Sequence, residues 1–191
     1  MKQPQKTPVG KAIALKTQAE VLADVQRLEQ AGSFQKLHGY LIELAKSGYQ
    51  SAQYESLFRT YLYSPEAALR EAAVFCLLVV LQIQNPEYRA QALRMTLDEA
   101  ADFDSRMWAG SGLAVAYKNT RDPELLAAFL AIMDDEASDR HLKVSAVRNV
   151  ALLVGVSSRG QWLRAQSDSL SVLQEEFAAE LTTARTLVRN R

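Results

Sequence analysis

Three stretches decide how this chain folds: REAAVFCL at 70–77, RMWAGSGL at 106–113 and KVSAVRNV at 143–150. Each opens with a base (Arg70, Arg106, Lys143), has alanine three positions on (Ala73, Ala109, Ala146) and an aliphatic residue four further (Leu77, Leu113, Val150). Steps of three and four keep side chains on one face of an α-helix. The starts lie 36 and then 37 residues apart. A fixed period of this size is the mark of stacked helical hairpins, each unable to bury its apolar face without a neighbour.

Working outward, each such helix needs a first helix before it. Asn85-Pro86-Glu87 and Asp122-Pro123-Glu124 supply a capping side chain, an N1 proline and a first-turn acid. Pro86 and Pro123 are again 37 apart. Ser64-Pro65-Glu66 has the same composition, although it precedes a second helix. Thr17 with Glu20 makes a capping box for a helix ending at Gly32, and Ser33 opens another that stops at Gly48. A third helix is expected over about 49–63, and Asp104 and Ser138 or Asp139 open the central second helices. The apolar run Val74 to Ile83 reads as a fully buried helix, not a strand, because it continues a helical start. A short helix near Gln161 and a longer one from Asp168 to Val188 complete the chain. The expectation is an all-α fold: an α-solenoid of about four hairpins (17–47, 49–84, 86–120, 123–156), a flexible basic tail at 1–16 and capping helices at 157–191.

Bulk composition narrows the function. At 191 residues with 48% hydrophobic content the chain can bury about 70% of its unfolded surface, so disorder of the body is excluded. The 22 bases balance 22 acids, so no global field draws it to nucleic acid or anionic lipid. One cysteine, Cys76, cannot form an internal disulfide and fits a reducing compartment. The N-terminal apolar stretch, Ala12 to Leu15, is too short for a signal sequence, and no run is long enough to span a bilayer. A soluble, cytoplasmic protein with no membrane partner is expected.

Asp122-Pro123 and Val144-x-x-Val147-Arg148, with the three registered copies of the basic–alanine–aliphatic pattern, resemble the HEAT-repeat superfamily. The likeness covers 17–156 and is densest over 64–156; the first unit and the first helix of 49–84 depart from it in lacking a clear proline. The resemblance implies an arc-shaped solenoid whose second helices line a concave face. It implies no single activity: members are mostly adaptors and inhibitors, and a minority are lyase-like or base-excising enzymes.

Aligning the second helices sorts core from surface. Ala73, Ala109 and Ala146 form one interior column; Leu77, Leu113 and Val150 form another. The column Ala72, Trp108, Ser145 varies in size as an exposed position does. On that face Trp108, Phe75, Arg148 and Asn149 are candidates for partner contact, since aromatics beside arginine make up many binding hot spots. Alternatively Trp108 fills space between layers, with Gly110 and Gly112 making room. The turns within hairpins carry Asp98, Glu99, Asp102 and Asp104, then Asp134, Asp135, Glu136 and Asp139. Over 95–140 there are ten acids against four bases, a local net of −6. Capping accounts for Asp104 and Asp139 but not for Asp98, Glu99, Asp134 or Asp135, so a strip that steers a basic partner stands beside the plainer reading of solvated loops.

Dedicated chemistry is missing from the sequence. His38 and His141 lack ligand partners at metal spacing, Gly110-Ser111-Gly112 follows no strand and is no nucleophile elbow, and there is no phosphate-cradling glycine loop. No catalytic residue, cofactor or metal is expected. Arg70, Arg106 and Lys143 read as a structural ladder to acids of the preceding turns, and nucleic-acid binding is disfavoured. The leading expectation is a non-enzymatic module that binds and neutralises or escorts a basic protein, similar to immunity proteins that block basic nuclease toxins. The alternatives are a lyase- or glycosylase-like ligand binder with a pocket at Trp108, and a structural adaptor.

Overall fold

A computed structural model describes residues 16–47, 49–156 and 168–190. Among them there are ten α-helices and no strand, so the protein is all-α. The basic tail at 1–15, Gly48 and the short helix expected near Gln161 lie outside the described residues. The chain divides into two compact units, one ending at Leu81 and the other beginning at Gln82.

The first unit contains α1 (Gln18–Gln30), α2 (Phe34–Lys46), a 3₁₀ turn (Tyr49–Tyr54), α3 (Glu55–Tyr61) and α4 (Ala67–Val74). The capping box forms as expected: Thr17 Oγ accepts from the Glu20 amide at 3.3 Å, and Glu20 reaches back to the Thr17 amide at 2.8 Å. Gly32 at φ 60° ends α1, and the Ser33 amide returns to the Leu28 carbonyl at 3.0 Å. Ser33 occupies the N-cap place of α2, yet its side chain makes no capping bond. Asp24 on α1 receives Lys16, Arg27 at 2.6 Å and the Tyr40 hydroxyl at 3.1 Å, which pins α1 to α2. Leu37, Leu41 and Leu44 follow one stripe of α2, fully buried against α4 and its extension. Burial of each is worth about 1.5–3 kcal/mol.

Three expectations for this unit need correcting. The helix expected over 49–63 is a 3₁₀ turn followed by a short α-helix. Ser64-Pro65-Glu66 does not open a helix at Pro65. Glu66 is the N-cap, because Arg70 holds the Ser64 and Pro65 carbonyls at 2.8 and 2.7 Å and keeps them outside the helix. The run at 74–83 is neither uniformly α nor fully buried: α4 widens into a π-helix over Phe75–Val80, and Phe75, Val79, Val80 and Leu81 are half-exposed. Cys76 is buried there with its thiol 3.4 Å from the Leu41 carbonyl, and burial pushes the thiol pKa far up. It is an inert core residue.

The second unit contains α5 (Pro86–Leu97), α6 (Phe103–Ala116), α7 (Pro123–Asp134), α8 (Arg140–Val154), α9 (Leu170–Glu176) and α10 (Ala178–Arg189). The proline-led starts behave as read: Asn85 Oδ1 accepts from the Glu87 amide at 2.8 Å, and Asp122 Oδ1 from the Glu124 and Leu125 amides at 3.0 and 3.1 Å. Helices α5 and α6 pair, α7 and α8 pair, and α6 packs on α8. Helix α10 lies on α7 and α8, α9 on α8, and the helix expected over 168–188 is broken between them at buried Phe177.

Helices α6 and α8 run in parallel. At their N-terminal ends the Phe103 and His141 ring centroids are 6.0 Å apart. Midway, the Ser111 and Ser145 hydroxyls are 3.4 Å apart. At the other end the Asn119 and Arg121 amides donate to the Leu152 and Leu153 carbonyls, each at 3.0 Å. The loop after α6 thus satisfies carbonyls that the C-terminus of α8 leaves unpaired. One period earlier the Gln84 side chain donates to the Ala116 carbonyl at the end of α6, at 2.8 Å, as Arg121 Nε does to Val154 at 3.3 Å. Gln82 and Asn119, also one period apart, share a left-handed backbone at φ 50° and 63°. Arg89 of α5 holds both Asp122 oxygens at 2.9 Å and Glu124 at 2.8 Å, tying α5 to the start of α7.

Candidate functional site

The recurring alanines and aliphatics are interior: Ala73, Ala109, Leu77, Leu113 and Val150 are fully buried, and Ala146 nearly so. The column thought to be exposed is not uniform. Ala72 and Ser145 are buried, while Trp108 is 43% exposed. Trp108 is therefore not the filler between layers. Gly110 instead makes room for Phe129 and Asn149, whose atoms would stand 3.0 and 3.2 Å from an added Cβ. Asn149, expected on an exposed face, is 4% exposed. Phe75 is half-buried in the first unit beneath Lys46 Nζ, 5.4 Å from its ring centroid.

The basic column is structural, but its partners are carbonyls, not acids. Arg70 bonds the turn before α4, Arg106 Nε donates to the Thr96 carbonyl at 3.1 Å, and Lys143 Nζ to the Glu136 carbonyl at 3.5 Å. Arg106 reaches a carbonyl in the last turn of a first helix, Lys143 one in the turn that follows. Such groups have no acceptor role within the helix and favour a nearby cation.

The acids divide by what holds them. Asp102 is the N-cap of α6, not Asp104; it accepts from the Ser105 amide and hydroxyl, both at 2.9 Å. Asp139 caps α8 through the His141 amide at 2.7 Å. Asp98 and Asp135 follow the first helices and accept from Ala100 and Ala137 amides, each at 3.1 Å, with the Ser138 hydroxyl also on Asp135 at 2.7 Å. For three of them the bonds favour the charged form. The Ser105 amide lowers the Asp102 pKa, the Ser138 hydroxyl that of Asp135, and the His141 amide that of Asp139. Asp134 pairs with Arg185 of α10 at 3.1 Å. Among the described residues, the side chains of Glu99, Asp104 and Glu136 take no hydrogen bond or ion pair. All eight are exposed. The Phe103–His141 contact sits next to both N-caps, which places the two acidic turns at the same end of the second unit.

Between α6 and α8 a groove of about 330 Å³ opens beside this end. Met107, Ser111 and Val115 line it at steps of four along α6; Val144, Ser145, Arg148, Asn149 and Leu152 line it from α8. Asp168 reaches it from the segment before α9 and stands 3.3 Å from the Arg148 guanidinium. Trp108 shares a helix face with Ser111 by its spacing. Met107 and Asp168 escaped the sequence reading as groove residues, although the step of four from Met107 to Ser111 was available; Ser145 was read only as part of an exposed column. Among the described residues no group of three or more His, Cys, Asp or Glu side chains could hold a metal ion. No helix among them is long and apolar enough to cross a membrane. No protein-family model matches the chain, and no curated protein or solved structure matches it either.

Proposed function

We propose that the chain is a non-enzymatic protein-binding module, built as a HEAT-like α-solenoid, that binds and neutralises or escorts a basic protein in the manner of immunity proteins. One observation carries this reading: two hairpin turns with eight exposed acids meet at one end of the second unit, through the contact of Phe103 with His141 at 6.0 Å. Two of those carboxylates, Asp102 and Asp139, do double duty as helix caps. Hydrogen bonds favour the ionised form of Asp102, Asp135 and Asp139, and of the eight only Asp134 has an arginine partner among the described residues. Complementary charge at this end raises the encounter rate with a basic surface and gives salt-sensitive affinity. Exposed Phe103 and Trp108, at 44% and 43%, supply apolar contact beside the charge. The recurrence of the αL residue and carbonyl-capping side chain one period apart supports the solenoid part.

The test removes charge without removing caps. A variant carrying Glu99→Gln, Asp104→Asn, Asp134→Asn and Glu136→Gln should fold with an unchanged melting temperature. Used beside the native chain as bait in its own host's lysate, it should lose high-pI proteins that the native chain retains and that added salt also releases. Identical captured sets, or sets without basic proteins, would overturn the proposal.

A further inference from the structure

The groove between α6 and α8 carries chemistry that binding of a basic protein does not use. Asn149 is 4% exposed and lines the groove, and among the described residues its carboxamide forms no hydrogen bond. Among the described residues the fully buried side-chain atoms without a partner are Arg89 Nε and Glu180 Oε2, so the Asn149 amide keeps contact with solvent where it lines the groove. Beside it, the Ser145 hydroxyl is engaged with Ser111 at 3.4 Å. The guanidinium of Arg148, one residue away, holds the Asp168 carboxylate at 3.3 Å, and that aspartate side chain is 85% exposed. Exposed pairs of this kind are weakly held, so another carboxylate can take the place of Asp168. The walls facing these groups are apolar, with Met107 from α6 and Val144 from α8. A volume of about 330 Å³ is at the small end of the range for ligand sites.

We propose that this groove binds a small organic monocarboxylate. Arg148 takes the carboxylate in place of Asp168, the Asn149 carboxamide bonds a polar atom close to it, and Met107 and Val144 cover an aliphatic or aromatic body. The ligand site is independent of the acidic turns, so it stands or falls apart from the protein-binding reading.

The experiment titrates benzoate, phenylacetate and hexanoate into the full chain, each beside its neutral primary amide. Saturation-transfer NMR reads binding, and the ¹H–¹⁵N shifts of the Asn149 side chain read its location. The acids should bind about tenfold or more tightly than their amides, the ratio set by a charged hydrogen bond. Arg148→Gln should erase that preference. Asn149→Leu should weaken acid and amide alike with the melting temperature held or raised, which a purely structural asparagine would not do. If Asn149→Leu does not fold, Arg148→Gln alone decides, since its side chain is only partly buried. The variant lacking four turn acids should bind these probes as the native chain does. No binding by any acid, no shift at Asn149, or affinities that Arg148→Gln leaves unchanged would overturn the proposal.

Discussion

Two glycines show how much a single Cβ matters here, and in which direction. Gly39 is exposed on α2 and an added Cβ would meet nothing within 4 Å. Gly39→Ala should therefore stabilise by about 0.5–1 kcal/mol, through helix propensity and a less free unfolded chain. Gly110 sits in a helix too, but its added Cβ would press on Phe129 at 3.0 Å and Asn149 at 3.2 Å, both buried. Overpacking of about 1–3 kcal/mol should outweigh the propensity gain of about 1, so Gly110→Ala should destabilise. Urea denaturation of the pair measures both, and the same sign for the two would refute the packing at α6. Trp108 belongs to the same scale. At 43% exposure, Trp108→Ala should cost only about 1 kcal/mol, far from the 3–5 of a core tryptophan. A loss of core size in a thermal melt would put Trp108 back inside. Sequence spacing could not decide this, because glycines 110 and 112 next to a tryptophan look the same whether they admit it or admit something else.

At the level of elements, the recurring base turns out to be part of the hairpin's closure. Arg106 satisfies the Thr96 carbonyl at the end of α5, so Arg106→Met should destabilise by about 1 kcal/mol despite keeping the aliphatic stem. Lys36→Met, at an exposed position of α2 whose side chain takes no hydrogen bond or ion pair among the described residues, serves as the reference and should cost less. Equal small losses in chemical denaturation would show that the carbonyl contact contributes nothing. This is also where the legibility of the sequence is uneven. Caps and stops are local chemistry, so Thr17 with Glu20, Gly32, Asn85-Pro86 and Asp122-Pro123 were readable from the residues. The base was readable as structural, but its acceptor was not, since carbonyls carry no sequence signal. The left-handed positions were half readable: Asn119 is a residue type that tolerates φ 63°, Gln82 at φ 50° is not. The π-helix at Phe75–Val80 and the break at Phe177 depend on tertiary packing, and nothing in their apolar runs marks them. The groove was least visible, because Asp168 comes from outside the repeat that supplies its other residues.

For the molecule as a whole, formal neutrality conceals how its carboxylates are used, and pH exposes it. The first unit has Asp24, which hydrogen bonds from Lys16 and then Arg27 bring down to about 2, and Glu20, lowered by the Thr17 amide. The second has Asp102, Asp135 and Asp139, lowered by the Ser105 amide, the Ser138 hydroxyl and the His141 amide. A carboxylate whose folded pKa lies below its unfolded value adds stability above the unfolded pKa, and the contribution disappears as pH falls through the folded one. Every one of these shifts has that sign, and they are present in both units. The melting temperature should accordingly be level above pH ~5 and fall steadily from there to pH ~2. Replacing caps should flatten the slope as well as lower the plateau: Asp102→Ala with Asp139→Ala removes two of the titrating bonds from one end of the second unit. A melting temperature that stays constant from neutrality down to pH ~3, or an acid slope that this double substitution leaves unchanged, would mean that these turns are not held by ionised carboxylates.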